Sequence, residues 1–309
     1  MGIGRLIYKI FFKPTLQIRY HIHHFGLSGW YKLYKGEQQM KKAAMNITPI
    51  SLAKDHLLEV NYLTGANYWH QTIFCAQSLA RVLQGRLRIN IYSDGTLDQT
   101  HEALMARAIP GVTFISAKSV DAHLDQFLPP AQFPTLHYLR TWHPFFRRLI
   151  DIHCIKSWAI HLDSDMLFFD RPQQIIDAYQ NKTAIYMEEH LHNSYFVDDE
   201  RILKDKYNIS CISNVNGGII AYNGDVDYTD LEQKAKTLLD HYPHAGAAQV
   251  EQTLMSYLLF KQDAKPLNKY QYPIFYDSKI EVDNSPIVRH YIFKAKLPYF
   301  TSEWKRILH

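Results

Sequence analysis

Trp158-Ala159-Ile160-His161-Leu162-Asp163-Ser164-Asp165-Met166-Leu167-Phe168 is an apolar run interrupted by two carboxylates one residue apart. Its first half is short and β-favouring, and reads as a buried strand. Side chains at i and i+2 of an extended segment project to the same side, so Asp163 and Asp165 leave the end of a core strand together. Convergent carboxylates make an oxygen-rich site for Mg²⁺ or Mn²⁺. In open α/β sheets, ligands bind just outside the carboxyl ends of the strands. Asp-x-Asp also serves turns and helix caps, so the pair needs support from its surroundings.

Upstream, the pattern is strand and helix in alternation. Leu57–Leu63 reads as a first strand and Thr64-Gly65-Ala66-Asn67 as a turn. Tyr68–Leu83 has helical apolar spacing, Arg88–Tyr92 is a second strand, and Ser93-Asp94-Gly95 is its turn. Thr100–Ala108 is helical and Gly111–Ser116 is a third strand. Short links between such elements are the signature of a parallel sheet. No GxGxxG turn is present. Pro134 opens a helix that carries Arg140 and that Pro144 ends.

Downstream, Arg171-Pro172 starts a short helix and Ala184–Met187 is a strand that runs into Glu188-Glu189-His190. A loop of roughly 20 residues follows, a length that is usually functional. In Asn216-Gly217-Gly218 the glycines let backbone approach a ligand before a strand resumes. Leu231–Leu239 and Val250–Phe260 are helical, and Arg289-His290-Tyr291-Ile292-Phe293-Lys294-Ala295-Lys296 brings an imidazole and two lysines.

With 309 residues, 47% hydrophobic and 21% charged, the chain has globular composition and an ample core. Cys75, Cys154 and Cys211 have neither zinc nor redox spacing and read as buried thiols. The charge is uneven. Residues 1–45 hold eight Lys and Arg against the single Glu37, a net +7, so the remainder carries −3 of the formal +4. That head is also aromatic. It reads either as a segment on anionic lipid or as an arm packed on the body. The acidic body argues against nucleic acid. No apolar run is long enough to span a bilayer and no signal peptide is evident, so the expected location is cytoplasmic, with peripheral contact at the inner face of a membrane as the extension's alternative role.

In this order the pieces resemble the retaining glycosyltransferases of the glycogenin and lipopolysaccharide glucosyl/galactosyltransferase family (family eight), over about residues 55–300. The resemblance implies an α/β fold of GT-A type: a Rossmann-like, mostly parallel sheet flanked by helices, in one catalytic domain (51–309) behind a basic extension (1–50). It implies Mn²⁺, or Mg²⁺, held by Asp163, Asp165 and His290. Leu162-Asp163-Ser164-Asp165 is similar to the family's metal motif, and His290 with Lys296 repeats its His-x5-Lys spacing. Donor contacts are implied for Thr64, Tyr68, Asp94, Arg140, Glu189 (or Glu188), Asn216, Gly217 and Lys296. Glu251 and Gln252 match a segment near the reacting carbon. The sequence departs from the pattern at Phe293, where the family has glycine, and after Lys296, which leaves Lys294 as the alternative lysine. The Arg140 to Asp163 interval is longer than the family's.

The implied activity is transfer of a sugar from a nucleotide-sugar donor, expected to be a UDP-hexose, to a carbohydrate, lipid-linked or protein acceptor. Two other readings stay open on the residues alone: a metal-dependent nucleotidyltransferase, for which Thr64-Gly65-Ala66-Asn67 is a poor phosphate loop, and a carbohydrate-binding protein without transferase activity.

Overall fold

The computed structural model describes residues 13–154, 157–189, 195–280 and 286–308. A helical segment α1 (Lys13–Ala44), kinked at Gly26 where the backbone leaves helical geometry, precedes β1 (Leu58–Thr64), α2 (Trp69–Val82), β2 (Leu87–Ser93), α3 (Gln99–Ala108), β3 (Thr113–Ile115), α4 (Ala117–Phe127) and α5 (Pro134–Trp142). A tight helical stretch, Phe145–Arg147, then runs into a π turn, Arg148–Ile152. There follow β4 (Trp158–Leu162), β5 (Met166–Phe168), α6 (Gln173–Asn181), β6 (Ile185–Glu188), α7 (Glu200–Tyr207), β7 (Val215–Asn223), α8 (Tyr228–His241) and α9 (Ala247–Lys261). The chain closes with β8 (Lys265–Pro266), β9 (Ile274–Phe275), β10 (Val288–Tyr291) and α10 (Lys296–Thr301).

Seven strands form one sheet in the order β3-β2-β1-β4-β7-β6-β8, and β5-β10-β9 form a small second sheet. In the large sheet β7 pairs antiparallel with both β4 and β6, and every other pair is parallel. The expected α/β architecture is therefore present, with the alternation of the first half building β1 to β3. Helices cover both faces. Leu58, Val60, Tyr62, Ile89 and Ile160 pack with α2, and Ala159, Ile220 and Tyr222 pack with Leu231, Val250 and Leu254 of α8 and α9. Side-chain alternation along each strand divides its residues between these two cores.

The elements without a sequence expectation include α4 and α7, and also β8, β9, β10 and α10 near the end of the chain. Ser116 caps α4 through Ser119, and Asp199 caps α7 through Arg201. Helix α7 lies inside what reads as one long loop, whose residues 190–194 fall outside the described residues.

The basic head from residue 13 onward is helical. Its second half is built into the body: Leu33, Met40 and Ala44 are buried in the same core as β1 and α2. Gly36 sits against α10, where an added Cβ would lie 2.5 Å from the Phe300 carbonyl oxygen. The aromatic and basic residues of positions 1–12 lie outside the described residues.

Because β7 runs against its neighbours, its first residues meet the last residues of β4. The carboxyl ends of β1, β2, β4 and β6 and the start of β7 thus lie along one edge of the sheet. That edge gathers Thr64, Asp94, Asp163, Glu189 and Asn216.

Candidate metal centre

Strand geometry delivers the acid pair. The Asp163 amide donates to the Gly218 carbonyl at 2.8 Å, extending the ladder one residue past β4. The Asp165 carbonyl accepts from the Tyr291 amide at 3.0 Å, and His290 lies in register with Met166. The small sheet therefore carries His290 to the acids. Ligand atoms of Asp163, Asp165 and His290 all lie within 4.8 Å of one another, and His290 Nε2 is 3.1 Å from Asp165 Oδ1. A Cβ on Gly218 would come within 2.6 Å of the imidazole, so only glycine leaves room for His290. Two carboxylates and one imidazole at this spacing fit a divalent cation of the Mg²⁺ or Mn²⁺ kind.

Cations flank the acids. Lys296 donates to Asp165 Oδ2 and lies 3.4 Å from Gln71 Oε1. Burial alone would raise the Asp165 carboxyl, but Lys296 and His290 outweigh it and hold it well below the usual carboxylate range. Lys294 is exposed on the turn before α10, so Lys296 is the lysine that reaches the acids.

The arginine bonded to the acids is Arg148, not Arg140. Arg148 donates to Asp163 Oδ1 at 2.8 Å and lies 3.1 Å from Glu251 Oε1. Arg140 is held instead by Asp151 and by Asp121 at 2.9 Å. The helical repeat from α5 breaks at the π turn, and the turn aims Arg148 inward. The long Arg140–Asp163 interval was the signal in the sequence: Arg148 precedes Asp163 by 15 residues.

Behind Arg148 lies a buried polar chain. His161 Nε2 is 3.0 Å from the Gly217 carbonyl oxygen, and His161 Nδ1 is 2.8 Å from His153 Nε2. A carbonyl only accepts, so His161 carries its proton on Nε2 and its Nδ1 accepts from His153. Burial and the neighbouring Arg148 keep both rings neutral, with His153 pushed down to about 3. His153 stacks on Tyr222 at 4.1 Å. Sequence reading gave no signal for this pair.

Glu251 is buried, and its carboxyl is pushed up to about 7 by burial and by Asp163, against the pull of Arg148. Its neighbour Gln252 spends its amide on backbone: it donates to the Val215 carbonyl and accepts from the Tyr195 amide at 3.2 Å. Asn216 accepts from the Gly218 amide at 2.9 Å and donates to Glu189 at 3.3 Å. The Gly217 carbonyl takes Arg148 at 3.4 Å as well as His161.

The β1–β2 rim completes the edge. Thr72 Oγ1 links Thr64 at 2.7 Å to Ser164 at 2.8 Å, tying the first strand to the acid motif. Asp94 accepts from the Thr96 amide at 2.8 Å, and a Cβ on Gly65 would lie 2.0 Å from its carboxylate. Tyr68 is half exposed, and its hydroxyl is raised by burial and by the carboxylates of Asp165, Asp94, Glu37 and Asp163.

No protein-family model matches the chain, and no curated protein matches it. Solved structures do. The apo form of mouse xyloside xylosyltransferase 1 is 13% identical, with a TM-score of 0.51 over 76% of this chain and 97% of that one. The apo structure of the bifunctional glycosyltransferase WbbM is 12% identical with a TM-score of 0.50 over 85% of this chain. The match covers 52% of WbbM, about half its length. At such identities the likeness is one of fold, and the fold of this chain is that of the GT-A glycosyltransferases.

Proposed function

We propose that this chain is a retaining glycosyltransferase that moves a hexose from a nucleotide-sugar donor, a UDP-hexose, to a glycan, glycolipid or protein acceptor, with Mn²⁺ or Mg²⁺. The observation that carries the reading is the convergence of Asp163, Asp165 and His290 between two cations, Lys296 and Arg148, at the carboxyl edge of a GT-A sheet. A nucleoside diphosphate leaving group needs its charge met where it develops. A divalent ion in the triad would supply Lewis-acid neutralisation of that diphosphate.

The chain's own residues take the remaining roles. Lys296, which bonds to Asp165 beside the triad, would place its ammonium on a phosphate oxygen of the diphosphate. Thr64, Tyr68 and Asp94 border the space for the nucleoside. Asn216, Gly217 and Glu189 face the donor sugar. Glu251 lies on the sugar side of Arg148, and Gln252 fixes the Val215 strand entry beside it. Retention rests on the family resemblance.

A thermal-shift panel tests the reading. UDP, UDP-glucose and UDP-galactose are each added with and without Mn²⁺. Saturation at a hundred times Kd stabilises the native state by about 2.7 kcal/mol. Stabilisation by UDP that requires Mn²⁺ and disappears in Asp165→Asn is the expected result. No response to UDP or to either UDP-sugar with metal would overturn the proposal. The anomeric configuration of product, read by proton NMR, decides retention.

A further inference from the structure

We infer that α1 seats the protein on an anionic lipid surface through an outer stripe of Leu27, Tyr31 and Tyr34. The helix has two opposed faces. The inner one is fixed: Leu33, Met40 and Ala44 are buried in the core, and Gly36 is pressed on the Phe300 backbone. The helix cannot roll to hide its outer face. On that face Leu27, Tyr31 and Tyr34, spaced four and three residues apart, are 67%, 57% and 51% exposed. Residues at that spacing share one side of a helix.

The charge around the stripe is of one sign. Lys32, Lys35 and Lys42 are exposed on the same helical segment, and Arg19 is exposed on the segment before the kink at Gly26. The single acid, Glu37, is engaged by Lys41 at 2.8 Å and faces His70 at 3.6 Å. An aromatic and aliphatic centre rimmed by lysines matches the interface of an anionic bilayer, where tyrosine rings sit at headgroup depth and lysine stems reach the lipid phosphates. A polynucleotide would use the cations but leave Leu27 uncovered. Among the described residues no helix is long and apolar enough to cross a membrane, so the segment lies on the surface. The inference stands apart from sugar transfer, because none of these residues contacts the metal centre.

The test is sedimentation of the full chain with vesicles of phosphatidylcholine alone or with phosphatidylglycerol. The expected result is binding to the anionic vesicles only, weakened by salt. It should fall roughly tenfold or more in Lys32→Glu/Lys35→Glu, and similarly in Leu27→Ser/Tyr31→Ser/Tyr34→Ser. All five positions are exposed, so circular dichroism should be unchanged. Equal binding to both vesicle types, no binding to either, or undiminished binding by the stripe variant would overturn the proposal. So would light scattering that shows the stripe variant turning a dimer into a monomer, since the stripe would then join two copies of this chain.

Discussion

The two sides of the metal centre are built by different physics. On one side stand Asp163, Asp165 and Lys296, with side chains 32%, 18% and 26% exposed. On the other stand Arg148 and Glu251, 12% and 5% exposed, with the His153–His161 pair behind them. The open side is set by strand alternation and a short turn, and its charged side chains are partly exposed. The closed side is set by packing of a π turn against β4, β7 and α9, and its side chains are bonded to protein groups. The open side should therefore tolerate substitution structurally while losing ligand binding. The closed side should lose both.

Arg148→Met presses hardest on that difference. It leaves Glu251 and Asp163 without their shared cation. Removing one member of a buried pair costs about 3–5 kcal/mol, and we expect about 3 here because Glu251 can take up a proton. Urea denaturation and transfer assays should both show the loss. Transfer lost at unchanged stability would mean that the closed side is as hydrated as the open one.

Asp165→Asn is the matching change on the open side. Metal-dependent binding of UDP should weaken by more than about 100-fold, because a charged ligand is gone. Stability should fall by only about 1 kcal/mol, since Lys296 can rehydrate. Calorimetry with Mn²⁺ and a chemical melt read the two effects. A stability loss as large as that of Arg148→Met would erase the distinction between the sides.

Glu251→Gln sharpens it through pH. The folded carboxyl titrates near 7 against about 4.5 unfolded, so the native state holds the proton more tightly. Its contribution is fully present below pH 4.5 and is lost as pH rises to 7, by at most about 3 kcal/mol. The neutral histidines act in the opposite sense: His153, lowered to about 3, contributes stability above 6.5 that is lost as pH falls. The difference between wild type and Glu251→Gln removes that background. It should change across pH 4.5–7 and be flat above. A difference independent of pH would place the Glu251 carboxyl in water.

The same division decides what was legible in the sequence. The alternating strands and helices up to Ala108 came from periodicity alone. Asp163 and Asp165 were legible because a strand end fixes the relative direction of i and i+2. His290 and Lys296 were legible only through a family spacing. Arg148 left only an indirect trace, the long Arg140–Asp163 interval, because a π turn shifts the helical phase and removes the periodic signal. His161 read as one more residue of an apolar strand, and nothing local could name His153 or Gly217 as its partners. Helix α7 was hidden in a polar stretch whose only signal was the Asp199 cap.

His161→Leu tests that hidden chain. It strands the His153 donor and removes a bond to the Gly217 carbonyl. The cost should be about 1–3 kcal/mol. His161→Gln retains a donor near the Nε2 position and should recover part of it. A donor KM raised in the leucine variant and restored in the glutamine variant would show that Gly217 is positioned from behind. Equal melts for both variants would reduce the pair to packing.

The smallest expected effect lies on the open side, at Phe293. This residue adopts φ +46° on the turn from β10 to Lys296, a left-handed conformation that costs a side-chain-bearing residue about 1 kcal/mol or more. The resembled family has glycine here. In this chain the Phe293 ring is 48% exposed and stacks on Tyr276 at 6.2 Å, which offsets part of the strain. Phe293→Gly should therefore stabilise by up to about 1 kcal/mol, less the lost ring contact. The Lys296 backbone follows the same turn in either case, so UDP affinity should hold. A destabilised variant would show that the stacked ring outweighs the strain. A weakened UDP affinity at unchanged stability would show that Lys296 is placed by the phenylalanine, and that the open side too depends on packing.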